Sequence, residues 1–314
     1  MVFSRNILML SVALCFPALS LSNLAQTTTT SNPTTPSHAP EGGSNLVGSS
    51  WSDGPRRATL ALGLITKDDG GINRFTSGAA AVLLKDSTNR VFIATALHVF
   101  ENPLEHWAPD ALQVRGWKDE NKSRYEDFGS VLQLRKNGVP LYTASRQFDL
   151  AIIPAPQEIL QRIADDNHIA TVYGPDWIGG PSEIYDGADV FILGYPALVG
   201  SQATQRAMMR SGTIAWADSS HLADHEFYVD ASVIPGNSGG PVFASASGIT
   251  RSAGIESGKA TKLLGIVSQP MSTQSELALG THSPQPVLAP TSAGVGLIEP
   301  AHALIDLMAQ AAAH

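Results

Sequence analysis

From about residue 56 onward the sequence is cut into short apolar runs by turn-forming clusters, and this punctuation limits the fold more than any other feature. "ATLALGLIT", "SGAAAVLLK" and "RVFIATA" have strand length and are bounded by "KDDGG" and "DSTN"; apolar runs of this kind between Gly, Asp, Asn and Ser clusters read as strands. "ALQVRGW", "SVLQL" and "DLAIIP" continue the series. A helical stretch, "QEILQRIADD", follows at 157–166. A second series then begins: "ADVFILG", "SGTIAWA", "EFYVDA", "GPVFAS", "KLLGIVS" and "VGLIE". In the closing "PAHALIDLMAQAAA", Pro300 stands where a first-turn proline is favoured, and Ala303, Leu304, Leu307 and Met308 follow a helical spacing. Two sets of roughly six strands predict an all-β fold of two packed six-stranded antiparallel β-barrels with a C-terminal helix. The first barrel is expected over about 56–156, the second over about 185–300 and the helix over 300–311. A single β-sandwich is the alternative. The 28 glycines and 20 prolines suit such a loop-rich fold better than a helical bundle.

The segment before residue 56 has a different character. Residues 1–25 carry Arg5, then an apolar run over 7–21 broken by Pro17, then small residues at Ser20, Ser22 and Ala25. This is the pattern of a secretory signal peptide, and it predicts an exported protein, periplasmic or secreted. The alternative, a membrane anchor, is disfavoured because the run is short for a span of about 20 residues and contains a proline. "VALC" faintly matches a lipoprotein box, but Leu14 is too large before Cys15. Cys15 is the sole cysteine, so the processed chain has no disulfide and depends on its core. Residues 26–55, rich in Thr, Ser, Pro and Gly, bury too little apolar surface to offset ordering entropy and read as a linker. The net charge of −8, with no run of Lys or Arg, excludes a phosphate-binding footprint and hence nucleic acid as a partner.

"VIPGNSGGPVF", residues 233–243, sets Ser238 in a frame of glycine, asparagine and proline that one structural turn does not require. Nucleophilic catalysis by serine needs a base, a carboxylate that orients it, and donors for the oxyanion. A glycine-rich turn can aim successive N–H groups into one pocket because glycine adopts backbone angles that side chains resist. The N–H groups of Gly236 and Ser238 are the candidate oxyanion donors. The candidate base is His98, which follows the apolar strand "VFIATA"; taken alone, it reads more readily as a core histidine with a satisfied ring. The candidate carboxylate is Asp149 in "RQFDLAIIP", an acid heading a buried strand, where an unpaired charge is costly. Taken alone, it reads more readily as a strand-start turn residue.

With "ATALHVF" around His98, "FDLAII" around Asp149 and "DASVIPGNSGGPVF" around Ser238, the chain resembles the trypsin/chymotrypsin-like serine peptidases. The likeness is greatest to the exported HtrA/Deg-type branch. "GADVFILGYPALVG", "RSGTIAWA", "LLGIVS" and "GVGLIEPAHALIDLM" extend it over about residues 58–309. "GNSGGP" is expected by chance on the order of 10⁻⁵ times in a chain this long, so composition alone does not account for it. The resemblance implies two perpendicular barrels with the site in the cleft between them. His98 would be the general acid/base, Asp149 its orienting partner and Ser238 the nucleophile, with Gly236 and Ser238 forming the oxyanion hole. It also implies a substrate pocket bordered by Ser232, Ser268 and Gly296, no metal or cofactor, polypeptide substrates as partners, and room for homo-oligomers.

The sequence departs from these relatives at several points. Where the zymogen-activated branch has an aspartate before the serine, this chain has Asn237, and no Ile-Val-Gly-Gly start is present. Activation is therefore expected not to require a cleaved N-terminus. HtrA/Deg relatives usually carry a PDZ domain after the peptidase; here the closing helix ends the sequence, so substrate choice is expected to come from the cleft or from partners. Residues 101–127 look long for the His–Asp interval and read as a lid, a packing insertion or an oligomer contact. Residues 270–292 read as a loop bordering the pocket. Ser232, six residues before Ser238, gives a pocket floor without an acid, which predicts small or medium apolar residues rather than Arg or Lys before the cut. His221 and His225 lack an obvious third ligand and read as a solvated hairpin loop. Two rival functions use the same residues: a catalytically silent binding or chaperone-like protein, and an esterase. The α/β-hydrolase version of the latter needs the order Ser, acid, His, which this chain lacks.

Overall fold

The computed structural model describes residues 53–67, 70–117, 127–165, 172–196, 206–218, 220–221, 225–245, 247–249, 255–257, 261–277 and 287–312. The expected signal peptide and the linker as far as residue 52 lie outside these residues.

A short helix, α1 (Asp53–Ala58), leads into the first half. Its strands are β1 (Thr59–Lys67), β2 (Asn73–Lys85), β3 (Val91–Thr95), β4 (Ala111–Trp117), β5 (Asp127–Gln133), the two-stranded ribbon β6 (Arg135–Lys136) and β7 (Val139–Pro140), β8 (Thr143–Ala144) and β9 (Ala151–Pro154). A single helical turn, α2 (Leu97–Phe100), follows β3, and α3 (Gln157–Asp165) follows β9 at the place the sequence predicts. The second half has β10 (Asp189–Gly194), β11 (Met208–Trp216), β12 (Phe227–Asp230), β13 (Pro241–Ala244), the ribbon β14 (Ser247–Ile249) and β15 (Ile255–Ser257), β16 (Leu263–Leu277) and β17 (Val287–Pro300), closed by α4 (Ala303–Ala312).

The predicted architecture is present: two antiparallel β-halves and a C-terminal helix, not one sandwich. The second half closes as a six-stranded barrel, β10-β11-β12-β17-β16-β13. The first half is a curled seven-stranded sheet, β5-β4-β1-β2-β3-β9-β8, shaped as a half-barrel. It stays open because β8 is only two residues long and cannot carry a ladder round to β5.

Strand periodicity explains where the cores lie. Successive side chains of a strand face opposite sides, so a continuous apolar run serves two buried layers. On β2, Ala79, Ala81 and Leu83 join the interior of the first half, whereas Ala80, Val82 and Leu84 face a middle layer. The same division separates Ile93 from Phe92 and Ala94 on β3, and Ile153 from Ile152 on β9. From the other side, Phe243 of β13 and Leu263 and Ile266 of β16 enter that middle layer, while Val242, Leu264 and Val267 fill the second barrel. Leu304, Leu307 and Met308 of α4 complete the middle layer, so the closing helix seals the joint between halves. Each fully buried Leu, Ile or Phe stabilises by roughly 1.5–3 kcal/mol, which makes this joint a full hydrophobic core and not a loose contact.

Three details differ from the sequence reading. Pro300 ends β17 opposite Gly265, and the helix begins three residues later at Ala303. Strand pairing reaches further than expected because the Ala301 N–H still bonds the Leu264 carbonyl (2.8 Å). The expected loop over 270–292 is, in its described parts, an extension of the β16–β17 hairpin, with Ser272 opposite Ser292 and Leu277 opposite Val287. Within 101–127, residues 111–117 form β4, which pairs with both β1 and β5. Just before β4, the Trp107 Nε1–H donates to the Val99 carbonyl (2.9 Å). The described part of this stretch therefore packs behind α2 as part of the scaffold, and residues 118–126 lie outside the described residues.

Candidate active site

β3 is a buried strand that ends at Thr95, and the chain turns once through α2. Val99 and Phe100 of that turn point into the core, which leaves His98 half-buried on the other side. One turn of helix has N–H groups without internal partners. Here Asp149 meets them: its main-chain carbonyl accepts from the Leu97 N–H (3.2 Å) and its Oδ1 from the His98 N–H (2.9 Å).

Asp149 lies just before β9, after a bend in which the Ser145 hydroxyl oxygen accepts from the N–H groups of Gln147 and Phe148. Leu150 and Phe148 on either side are buried, which fixes the direction of the carboxylate between them. Its Oδ2 stands 2.6 Å from His98 Nδ1 and accepts a 2.7 Å hydrogen bond from the Ser268 hydroxyl. Burial pushes the Asp149 carboxyl up, but the hydrogen bonds and the charge attraction of His98, with help from Ser268, hold it below the usual carboxylate range. Asp149 is therefore an anion at neutral pH. An anion at Nδ1 keeps the ring proton there and leaves the Nε2 lone pair free to accept a proton.

Ser238 lies in the turn between β12 and β13. The turn is pinned at four points: Tyr195 N–H to the Gly236 carbonyl (3.1 Å), Ala80 N–H to the Ser238 carbonyl (2.8 Å), Gly239 N–H to the Val267 carbonyl (2.7 Å) and Gly240 N–H to the Asn237 carbonyl (2.8 Å). Gly236 and Gly239 have φ of 94° and 77°, where side chains are strained. A Cβ on Gly239 would stand 1.9 Å from Thr95 Oγ1 and 2.2 Å from the Ala80 carbonyl oxygen, so only glycine fits. The Ser238 turn is thus seated on β2 and on the end of β3, one helical turn before His98. Its contact with Val267 joins it to the strand that carries Ser268. Among the described residues, the Asn237, Gly239 and Gly240 N–H groups bond main-chain carbonyls, whereas those of Gly236 and Ser238 have no acceptor. Two unengaged donors flank the serine.

The structure thus joins His98, Asp149 and Ser268 directly by hydrogen bonds, and docks the Ser238 turn on the strands that lead to them. Ser232 is exposed, and its carbonyl accepts from Arg210 (2.6 Å). Gly296, on β17, is buried against Val233, where a Cβ would come within 2.5 Å of the Val233 side chain. Ser232, Gly296 and Ser268 therefore lie on or next to three adjoining strands, β12, β17 and β16. His221 pairs with Asp218 (3.1 Å) and packs edge-on against His225. Asn237 is buried, and its Oδ1 has no donor among the described residues.

The sequence reading did not identify two residues beside this site. Thr95 seats Gly239 and donates to the Ala80 carbonyl (2.8 Å). Glu299, on β17, is buried with its carboxyl against Ser268 and Asp149. Thr95 carries no local signal, but an acid inside the apolar run "GLIEP" is the same oddity that marked Asp149.

No curated protein matches the chain at a significant level. One family model matches it over residues 78–249, a span that includes His98, Asp149 and Ser238 and covers more than half of the 314 residues; it is the model of the trypsin-like peptidase domain.

Proposed function

The chain belongs to the trypsin-like peptidase domain family, and from that premise we propose that it is a serine endopeptidase that works through a Ser238–His98–Asp149 triad. Ser238 Oγ attacks the scissile carbonyl carbon while His98 Nε2 takes the hydroxyl proton. Asp149 holds the ring in place and stabilises the imidazolium that forms. The carbonyl oxygen gains negative charge in the tetrahedral intermediate and accepts from the Gly236 and Ser238 N–H groups. Collapse of the intermediate breaks the C–N bond, and His98 returns its proton to the departing amine. Water then attacks the acyl-enzyme by the same route in reverse and frees Ser238.

The observation that carries this reading is the 2.6 Å pair of His98 Nδ1 and Asp149 Oδ2, which poises the imidazole as a base. The unengaged donors beside Ser238 support it. Removing one oxyanion donor costs about 10²–10³ in rate in enzymes of this kind, which gives a reason for a glycine at 236 and for the constraint on the turn.

The finer parts of the reading rest on the sequence. The 1–25 pattern supports export to the periplasm or the exterior, and the motif set supports the HtrA/Deg-type branch. Ser232, Ser268 and Gly296 border the pocket for the residue before the cut, and the absence of an acid at Ser232 favours small or medium apolar side chains. The deciding experiment treats the mature chain and its Ser238→Ala variant with a fluorophosphonate probe and with a denatured protein, and reads fragments by mass spectrometry. Labelling and cleavage by the wild type alone are expected. Wild-type protein that binds the denatured substrate without labelling or cleavage would support the silent binding reading, and labelling with ester but no peptide hydrolysis would support the esterase.

A further inference from the structure

Glu299 lies opposite Ile266 in the β16–β17 ladder and next to the fully buried Ile298. It is 6% exposed. A carboxylate in such a place is expensive unless it is paired with a cation or neutralised. The charged groups that act on it are Asp149, from the first half, and Glu226, just before β12, and both are acids. Tyr228 of β12 is the further titratable neighbour, itself pushed up by burial and by Glu226 and Glu299. The part of β16 alongside, residues 263–271, has no titratable side chain. His98 bonds the same Asp149 carboxylate, at 2.6 Å. Burial first, then the Asp149 and Glu226 charges, push the Glu299 carboxyl up to about 8, so it carries its proton at neutral pH.

The Ser268 hydroxyl has one hydrogen, and it is directed to Asp149 Oδ2 at 2.7 Å. Its oxygen keeps lone pairs that can accept. The Glu299 carboxyl interacts with that hydroxyl and with the Asp149 main-chain N–H. A neutral acid suits both at once: its carbonyl oxygen accepts from the N–H, and its O–H donates to Ser268 Oγ. An ionised Glu299 has no hydrogen to give. It would compete with Asp149 for the single Ser268 hydrogen and set a second negative charge beside the first.

We propose that Glu299 is a positioning residue for the triad: its buried carboxyl completes a hydrogen-bond chain, Glu299 to Ser268 to Asp149 to His98, that keeps the Asp149 carboxylate aimed at the imidazole. This inference rests on the peptidase reading for its consequence in catalysis, though not for its geometry. Loss of the Glu299 proton opens the chain at its far end, so activity falls as the pH rises through the ionisation of Glu299.

The test compares pH profiles of kcat/KM for wild type and Glu299→Gln. The carboxamide is always neutral, accepts from the Asp149 N–H through its oxygen and donates to Ser268 through its nitrogen. Wild type is expected to lose about tenfold across a one-proton limb centred near pH 8, and Glu299→Gln to keep wild-type activity at neutral pH and to lack that limb. Identical alkaline limbs in the two proteins would overturn the proposal. A second readout needs no turnover: in Ser238→Ala protein, the low-field Nδ1 proton resonance of His98 should step near pH 8, and with Glu299→Gln added it should not. Should the glutamine variant fail to fold, a ¹³C-glutamate titration of the Ser238→Ala protein decides. A buried carboxyl that titrates in step with the His98 signal supports the chain, and a His98 signal with no accompanying glutamate step overturns it. Failure of the peptidase reading is separate, since it shows as a wild type that neither labels nor cleaves, or as cleavage or labelling that Ser238→Ala does not abolish, and the His98 resonance is read in either case.

Discussion

Replacing Gly239 by alanine tests how the Ser238 turn is held. Two penalties add at this position. The first is conformational: with φ at 77°, an L side chain is strained, at roughly 1–2 kcal/mol. The second is steric. The new Cβ would fall 1.9 Å from Thr95 Oγ1 and 2.2 Å from the Ala80 carbonyl oxygen. Both atoms are buried and are bonded to each other at 2.8 Å, so relief requires breaking that bond, at about 1–3 kcal/mol for the buried groups left unpaired. The sum is a loss of about 2–5 kcal/mol. Gly138→Ala isolates the first penalty, because Gly138 has φ of 76° with nothing within 4 Å of the added carbon; it should cost about 1–2 kcal/mol. Urea unfolding of the two variants and wild type, followed by intrinsic fluorescence, gives the three stabilities on one scale. Equal losses for Gly239→Ala and Gly138→Ala would refute the claim that Thr95 and Ala80 form a rigid seat for the turn.

Two other variants test the site and the scaffold. Asp149→Asn keeps the shape but lets the carboxamide donate to Nδ1, which moves the ring proton to Nε2, so kcat should fall by about 10⁴ with KM little changed, as steady-state kinetics on a peptide ester would show. Asp86 accepts from the Thr88 N–H and hydroxyl and from the Arg90 N–H and Nε, which together bring its carboxyl down to about 2 although burial acts the other way. A lowered native pKa stabilises the fold above the unfolded value of about 4 and loses that contribution as pH falls toward 2. Asp86→Asn should therefore destabilise by about 1–2 kcal/mol at pH 7, with Arg90 half-exposed, and the gap from wild type should close below about pH 3 in acid-dependent unfolding.

Much of the fold is legible in the sequence because buried strands leave a plain mark. "SGAAAVLLK" is apolar at consecutive positions, which only a strand covered on both faces requires, and β2 has that environment. The hairpin arms beyond the barrel leave no such mark. "MSTQSEL" and "PVLAPTS" are polar or interrupted by proline, and nothing in them separates a projecting ladder from a loop. The open first half is equally silent, since it depends on how far β8 extends and not on its composition. At the site, His98, Asp149 and the glycine frame announce themselves through residue type and local pattern. The bond between Ser268 and Asp149 joins residues 119 apart in the chain, and no short window contains it. Thr95 acts only through the turn that settles on it. Glu299 was within reach, because an acid between isoleucine and proline in a core strand needs a reason, and the reason lies in the opposite half.

The middle apolar layer makes β2, β3 and β9 common walls of two rooms. Neither room can be emptied while the other stays furnished: parting the halves would strip water-avoiding side chains from both sheets and from α4 together. Loss of order should then be all-or-none, with hydrogen exchange at Val82, Ala94 and Ile266 reporting a single opening event. The Ser238 turn is seated on β2 and β3, so the same event would dismantle the candidate active site along with the fold.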